Sequence, residues 1–258
     1  MDAPVLLTGW AGRVGQAILD EVGDQYEWRL FDRQPPAVED PPGTVFVGDI
    51  TDRDRLAEAM EDVSVVIHLA GDPRADAPWD SLLPNNVDGT QAVFETAVDI
   101  GVQKVAFASS NHAVGAYETD DRVPNIYRPH AKFLLDGSEP YRPGNLYGAS
   151  KAAGEILGRY YHDAHGISVV NVRIGNLTPD RPPRDYERGH SMWLSHRDCA
   201  HLFECCIEAD YEYEIVYGIS DNDQKFYSIE RAKDVLGYRP KDNAADHVDM
   251  DHPESSNN

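Results

Sequence analysis

Cysteine and long apolar segments are both scarce in this chain of 258 residues. Three cysteines are too few for the disulfide framework of a small secreted domain. No stretch stays apolar for the 18 or more residues that a membrane-spanning helix needs. Residues 1–4 carry neither the basic start nor the apolar run of a signal peptide. These features predict a soluble, cytoplasmic protein.

Positive charge, and lysine in particular, is also scarce. Only six of the 23 cationic side chains are lysines, against 45 aspartates and glutamates, and the formal net charge is −22. Such a chain repels itself in dilute buffer, and salt relieves the repulsion by screening. The composition is typical of a protein that works in concentrated salt, and an acidic mesophilic protein is the alternative. It argues against nucleic acid and anionic membranes as partners.

Histidine and cysteine cluster in one segment, from His196 to Cys205, at a spacing that superficially resembles a metal-ligand set. The same segment has apolar positions at i, i+3, i+4 and i+7, which form one buried face of a helix: Cys199, Leu202, Phe203 and Cys206. We therefore expect core packing here, and no metal.

The first two thirds of the chain alternate short apolar strands with helices. Helices are expected over 12–22, 52–60, 79–100 and 147–165, each placed between strands. This alternation predicts an α/β fold with a doubly wound parallel sheet.

Beyond residue 174 the alternation weakens to the cysteine-bearing helix, a strand at 214–217 and a helix at 228–236. We therefore expect a dinucleotide-binding domain over 1–173 that carries the catalytic residues. A small substrate-binding, capping region is expected over 174–241, and an acidic flexible tail over 242–258.

A glycine-rich turn follows the first strand. Gly9, Gly12 and Gly15 allow a tight turn, close approach of the backbone to a pyrophosphate, and close packing of helix on strand. Asp32 stands 23 residues after Gly9, at the end of the second strand, where a carboxylate accepts hydrogen bonds from an adenosine ribose. It would repel a 2′-phosphate, so NAD is favoured over NADP, although Arg33 beside it weakens that preference.

A second motif opens the helix at 147–165. Tyr147 and Lys151 are four residues apart, so the phenol and the ammonium lie on one helix face. An ammonium and a positively charged nicotinamide favour the phenolate, and would lower a pKa that is normally about 10. Ser110 ends a preceding strand and can orient a substrate hydroxyl. This arrangement indicates proton abstraction from a small hydroxyl-bearing substrate.

These motifs together resemble the extended short-chain dehydrogenases/reductases, over nearly the whole chain from Thr8 to Lys241. The resemblance implies a Rossmann fold of the extended type, NAD as cofactor, and Ser110, Tyr147 and Lys151 as catalytic residues. It also implies cofactor contacts from Gly9, Gly12, Arg13, Val14, Gly15, Asp32, Arg33, Asp49, Ile50, Leu69, Ala70, Gly71, Asn86, Ser109 and Lys151.

Within that family, the segments 108–112, 172–176 and 193–196 are similar to uronate dehydrogenases. The segments 68–74 and 205–211 are similar to haloarchaeal NAD-dependent glucose-6-phosphate dehydrogenases, which the chain resembles over its full length. The resemblance implies oxidation at C1 of β-D-glucose 6-phosphate, with 6-phospho-D-glucono-1,5-lactone as the product.

Uronates and hexose phosphates both carry an anion at C6, which a forked guanidinium suits. We expect Arg173 to hold that anion, with Arg74 available beside it. Further cations lie in the long loop 113–145, which contains Arg128, His130 and Lys132. The expected substrate contacts are Arg74, Ser110, Asn111, His112, Tyr147 and Arg173.

The sequence is also compatible with other functions. A uronate or another aldose is the alternative substrate. A nucleotide-sugar epimerase fits less well, because few residues follow position 174 for a nucleotide-binding lobe. A catalytically idle NAD-binding protein would conserve the fold without needing Ser110, Tyr147 and Lys151 together. We also expect a homo-oligomer.

Overall fold

The computed structural model describes residues 3–36, 39–120, 134–179, 182 and 187–247. Within these residues a seven-stranded parallel sheet has the order β3-β2-β1-β4-β5-β6-β9. The strands are β1 (Val5–Thr8), β2 (Trp28–Asp32), β3 (Gly43–Val47), β4 (Val65–His68), β5 (Lys104–Ser110), β6 (Ser168–Ile174) and β9 (Tyr213–Gly218). A separate short pair joins β7 (Asn176–Leu177) to β8 (Trp193–Leu194). The predicted doubly wound Rossmann fold is confirmed.

Helices cover both faces of the sheet. They are α1 (Arg13–Val22), α2 (Arg53–Met60), α3 (Trp79–Leu82), α4 (Gly89–Ile100), α5 (Leu146–His165), α6 (Glu187–Ser191), α7 (His196–Glu208) and α8 (Glu230–Leu236). One apolar cluster joins the sheet to α1, α7 and α8, and a second joins the opposite face to α2, α4 and α5. The central strands β1 and β4 are buried along their whole length, as expected for strands covered on both faces.

The helix expected over 79–100 is interrupted. A wider turn of π type, Leu83–Asp88, separates α3 from α4. Pro84 lies in this turn and has no backbone N–H to donate, so a regular α-helix would lose a hydrogen bond there. The turn brings Asn85 and Asn86 toward the carboxyl edge of the sheet, where both form hydrogen bonds to neighbouring segments.

The cysteine-bearing segment forms α7, and its predicted buried face is confirmed. Cys199, Leu202, Phe203 and Cys206 are each 0% exposed and belong to the cluster that α7 shares with α1. In the part of the chain that the structure describes, no group of three or more His, Cys, Asp or Glu side chains could hold a metal ion. None of the helices described there is long and apolar enough to cross a membrane.

The expected boundary at residue 174 does not separate two layers of structure. β9 pairs with β6 over six residues from Val169 to Ile174 and extends the central sheet. Helix α7 covers the face of the same sheet that α1 covers. A large share of the region 174–241 therefore completes the Rossmann fold, because an apolar strand and an amphipathic helix find their partners in the unfinished sheet.

The segment expected to fray from residue 242 onward begins as packed structure. The carboxylate of Asp198, 1% exposed, accepts hydrogen bonds from the backbone N–H groups of Lys241 at 2.8 Å and Asp242 at 3.0 Å. The Asp242 carboxylate accepts from Ser195 Oγ at 2.5 Å and pairs with Arg197. Residues 242–247 are thus tied to the start of α7, and residues 248–258 lie outside the described range.

Leu202→Ala is expected to destabilise the whole domain by about 2–5 kcal/mol, because it leaves a cavity between α7 and the sheet. Urea unfolding in molar salt measures the change. Ile100→Ala, at a side chain that is 43% exposed, is the matched control and should change the free energy of unfolding by well under half as much. A separate early transition confined to the C-terminal region would contradict a shared core.

Candidate active site

A cleft of about 550 Å³ lies at the carboxyl ends of the sheet strands. Its walls come from the turn after β1, the end of β2, the segments after β4 and β5, the start of α5, and the segment after β6. The predicted site residues that line it are Gly9, Gly12, Arg13, Val14, Asp32, Arg33, Ile50, Leu69, Ala70, Gly71, Ser109, Ser110, Asn111, His112, Tyr147 and Lys151. The two predicted motifs, more than a hundred residues apart, thus meet in one cavity.

The glycine turn has a different constraint at each glycine. Gly9 has φ of +71°, and a Cβ there would lie 2.7 Å from the backbone nitrogen of Ala70. A Cβ on Gly15 would lie 2.4 Å from the carbonyl oxygen of Trp10, so this glycine lets α1 pack on its own loop rather than line the cleft. A Cβ on Gly12 would meet only the Gly9 carbonyl oxygen, at 3.2 Å. Gly12 therefore faces the open cleft, where a ligand backbone can approach.

The start of α1 and the end of β2 form the two sides of the nucleotide end. Gly12 is the N-cap of α1 and has no side chain to occupy the first backbone N–H groups, which remain available to an anion. Asp32 accepts a hydrogen bond from the backbone N–H of Ala11 at 3.2 Å. Arg33 donates to Asn85 Oδ1 at 3.2 Å. The nucleotide end of the cleft thus carries the carboxylate of Asp32 next to the guanidinium of Arg33.

Two residues predicted to contact the cofactor, Asp49 and Asn86, instead form hydrogen bonds within the segments that surround the cleft. Asp49 accepts from the backbone N–H and hydroxyl of Thr51, at 2.9 and 2.7 Å, and these bonds lower the pKa of its carboxyl. Asn86 accepts from the backbone N–H of Asp72 at 2.6 Å and donates to Ser150 Oγ at 3.0 Å. Asn86 therefore fastens the segment after β4 to α5, and its neighbour Asn85 faces the cleft.

The start of α5 places the catalytic pair. Asn145 caps the helix by accepting from the backbone N–H of Gly148 at 2.7 Å. Lys151 donates from Nζ to the carbonyl oxygen of Ala108 at 2.8 Å, and Nζ lies 5.9 Å from the ring centroid of Tyr147. Ser110, at the end of β5, accepts from the backbone N–H of His112 at 3.2 Å. The predicted serine, tyrosine and lysine therefore converge on one point of the cleft.

Burial dominates the titration of this pair. It raises the pKa of Tyr147, and a hydrogen bond with Ser110 acts in the opposite direction. The net direction is contrary to the sequence-based expectation, because burial outweighs the hydrogen bond with Ser110 and the charge of Asp72 also raises the pKa of Tyr147. Burial also lowers the pKa of Lys151 to about 8, while the nearby charge of Glu155 raises it.

His112 lines the cleft beside the catalytic tyrosine. Its ring lies edge-on to the ring of Tyr147, with centroids 5.6 Å apart, and Nδ1 lies 2.9 Å from the amide nitrogen of Asn145. Burial and then the charge of Arg188 lower the pKa of His112. Because the amide nitrogen of Asn145 donates to Nδ1, a neutral imidazole here carries its proton on Nε2 and can donate one hydrogen bond toward a sugar hydroxyl.

Arg173 does not reach the cleft, contrary to the sequence-based expectation. Its side chain is 1% exposed, and Nε and Nη2 donate to the Glu155 carboxylate at 3.0 and 2.9 Å. Nη1 pairs with Glu139 and donates to Tyr217 Oη at 3.0 Å. Its side chain points to the α5 face of the sheet, where two carboxylates already neutralise it.

The other expected anion contacts also lie elsewhere. Arg74 forms a two-point ion pair with Asp72, at 2.9 and 2.6 Å, and its side chain is 60% exposed. Asp72 lines the cleft and Arg74 is turned outward. Arg128, His130 and Lys132 lie outside the described residues.

Arg188 is a cation at the substrate end of the cleft, and it was not among the residues expected from the sequence. It lies on the short helix α6 and lines the cleft together with Asn111 and Met192. Nη2 donates to Glu118 at 3.0 Å, with a second contact from Nε. With the Asn111 amide oriented so that its oxygen faces the guanidinium, Nη2 also donates to that oxygen at 3.1 Å. No periodic pattern precedes α6, so the only sequence signal for this residue was a lone arginine.

The sequence of residues 5–197 matches the NAD dependent epimerase/dehydratase family. The chain belongs to this family. It is 68% identical, over 95% of its own length and 96% of the relative, to the NAD-dependent glucose-6-phosphate dehydrogenase of Haloferax volcanii. It is 33% identical to the uronate dehydrogenase of Pseudomonas syringae pv. tomato, over 93% and 82% of the two chains.

Solved structures agree with this assignment. A variant of the uronate dehydrogenase of Agrobacterium tumefaciens, crystallised in complex with NAD, superimposes with a TM-score of 0.82 at 30% sequence identity. The match covers 99% of this chain and 92% of that one.

Gly12→Ala and Gly15→Ala are expected to affect different properties, NAD binding in the first case and stability in the second. Gly12→Ala should leave the melting temperature nearly unchanged and weaken NAD binding at least about tenfold, because its methyl group occupies the path of the pyrophosphate. Gly15→Ala should lower the melting temperature, because its methyl group meets the backbone of Trp10. Thermal unfolding and NAD titration measure both, and equal effects of the two changes would contradict the assignment.

Proposed function

We propose that this chain oxidises C1 of β-D-glucose 6-phosphate to 6-phospho-D-glucono-1,5-lactone with NAD as the oxidant. The observation that carries the proposal is the convergence of Ser110, Tyr147 and Lys151 between a dinucleotide pocket and the guanidinium of Arg188. The 68% identity to the Haloferax volcanii enzyme supports glucose 6-phosphate over other aldoses. The uronate dehydrogenase relatives make a hexuronate the second candidate, since it also bears an anion at C6.

The residues present fit a bound dinucleotide. The N-terminus of α1, with Gly12 open to the cleft, would receive the pyrophosphate. Asp32 would accept hydrogen bonds from the adenosine ribose, and its charge disfavours a 2′-phosphate. Lys151, next to Tyr147, would hold the nicotinamide ribose. The cofactor supplies the hydride acceptor when bound.

Proton transfer falls to the side chains of the chain itself. Tyr147 takes the proton of the C1 hydroxyl as general base. Ser110 hydrogen-bonds the same oxygen and orients it. The ammonium of Lys151 stabilises the phenolate that the buried ring would otherwise disfavour. Each of these groups lines the cleft.

Arg188 is the proposed contact for the phosphate at C6. Its guanidinium is held on one edge by Glu118 and on Nη2 by Asn111, which fixes the plane of the fork. The guanidinium lines the cleft, where its positive charge would attract an anion at C6. A phosphate oxygen and a carboxylate oxygen both suit such a donor, so this contact selects for an anion rather than for one anion over the other.

The cellular setting is part of the same proposal. The acidic composition suits a cytoplasm with molar salt, and a lactone product suits an oxidative, pentose phosphate type of sugar catabolism. Self-association would use the outer face of α5, where Ile156 and Tyr160 are 55% and 59% exposed and border a shallow groove with Tyr213 and Ile215. Gel filtration in molar salt tests the oligomeric state.

The activity is tested by NADH formation in molar salt with glucose 6-phosphate, glucuronate, arabinose and glucose as substrates. Glucose 6-phosphate is expected to give the highest kcat/KM. Tyr147→Phe should lower kcat by at least about a hundredfold, because general-base catalysis contributes factors of that order, while NAD binding is retained. Near wild-type turnover of Tyr147→Phe, or a higher kcat/KM with glucuronate, would overturn the proposal.

Arg188→Gln is expected to raise the KM for glucose 6-phosphate by about tenfold to a hundredfold, the loss of one hydrogen bond to a charged group. The rate with unphosphorylated glucose should change far less, since that sugar offers no anion. Arg74→Gln is the matched control: its guanidinium is turned away from the cleft, and its KM should stay within about twofold of the wild type. Steady-state kinetics on both sugars separates the two arginines.

A further inference from the structure

A row of buried polar side chains crosses three strands next to the catalytic residues. Ser109, Arg173 and Tyr217 are register partners on β5, β6 and β9. Each is at most 2% exposed. The next residue on β5 after Ser109 is the catalytic Ser110, so this row of side chains lies one residue from the active site along the strand.

Glu155 joins the row to α5. The side chain is 0% exposed, and its carboxylate accepts from Ser109 Oγ at 2.5 Å and from two nitrogens of Arg173 at 2.9 and 3.0 Å. Ser109 directly follows Ala108, whose carbonyl oxygen accepts from Lys151. The carboxylate therefore holds the strand end on which the catalytic ammonium rests.

The charges of this cluster balance only when Lys151 is included. Arg173 pairs with two carboxylates, Glu155 and Glu139, which leaves one negative charge in excess. Lys151 lies one helical turn before Glu155 on α5, on the same helix face. Its own hydrogen bond goes to a neutral carbonyl, so the neighbouring carboxylate is the group that opposes the effect of burial on the ammonium.

We propose that Glu155 is a positioning residue for the reaction, and that its negative charge keeps Lys151 protonated at the pH where the enzyme works. This inference rests on the proposed role of Lys151 beside Tyr147. Arg173, which Glu139 also pairs with, holds Glu155 in place, and its positive charge lowers the free-energy cost of burying the Glu155 carboxylate.

Other titratable groups face Lys151 from the elements packed around it. Tyr147 lies one turn earlier on α5. His68, on β4, is completely buried, and burial together with the charge of Lys151 lowers its pKa to about 3, so it stays neutral. The charge of Asp72, after β4, acts on Tyr147. Among the described residues, the carboxylate that acts on the ammonium is that of Glu155.

The test is the pH dependence of kcat/KM with NAD and glucose 6-phosphate. In the wild type, kcat/KM should fall above about pH 8, where Lys151 loses its proton. This fall at high pH is the basic limb of the profile. Glu155→Gln keeps the size of the side chain and removes its charge, so the basic limb should move down by about one pH unit. Glu155→Asp, which keeps the charge, should retain the wild-type limb.

Glu139→Gln is the matched control, because it removes the other carboxylate of Arg173. Both glutamine variants should lower the melting temperature, and only Glu155→Gln should move the limb. A Glu155→Gln profile that superimposes on the wild type overturns the proposal. So does an equal shift in Glu139→Gln, which would indicate a general effect of loosening Arg173.

A double variant covers the case in which Glu155→Gln does not fold. Glu155→Gln with Arg173→Gln removes one buried charge of each sign, while Glu139 keeps the backbone N–H groups of Asp136 and Gly137 as donors. Its limb should move in the same direction, and an unmoved limb refutes the role of Glu155.

Lys151→Met in the same series separates this inference from the proposed site. Wild-type turnover in Lys151→Met would refute the role of the lysine itself. An inactive Lys151→Met with an unmoved Glu155→Gln profile would refute only the role of Glu155.

Discussion

Hydrogen bonding between parallel strands sets Thr8 beside His68 and Ser110 beside Ile174, at one edge of the sheet. The carboxyl ends of all strands of a parallel sheet lie at that edge, so segments far apart in sequence meet there. The glycine turn, Asp32 and the start of α5 all lie along it. The cleft therefore depends on the common direction of the strands, which brings the separate segments that line it to one edge of the sheet, rather than on any single contact.

Local signals in the sequence could predict the groups whose position follows from backbone geometry. Gly9 and Gly12 belong to a turn that any strand–helix junction of this type requires, and Asp32 ends a strand. Tyr147 and Lys151 are four residues apart, so they share one face of the helix wherever exactly the helix begins. For these residues, knowing the element is nearly the same as knowing where the side chain points.

Side chains near strand ends and in irregular segments could not be placed in this way. Arg173 and Ile174 are neighbours on β6, and the alternation of a strand sends them to opposite faces. Only the buried carboxylates of Glu155 on α5 and of Glu139 in the segment before it show which face Arg173 occupies, and neither contact is local in sequence. Arg188 lies on a five-residue helix with no periodic signal around it. The partner of β9 was equally hidden, since a short apolar strand fits a separate lobe as well as a sheet edge.

The place of β9 in the sheet has a consequence for how the protein is made. Until Tyr213–Gly218 leaves the ribosome, β6 presents an unpaired edge whose side chains are almost all buried in the finished protein. Such an edge is a template for pairing with another nascent chain. The synthesis of about forty residues therefore separates the appearance of this edge from its closure, and during that interval the nascent chain is most exposed to pairing with another strand.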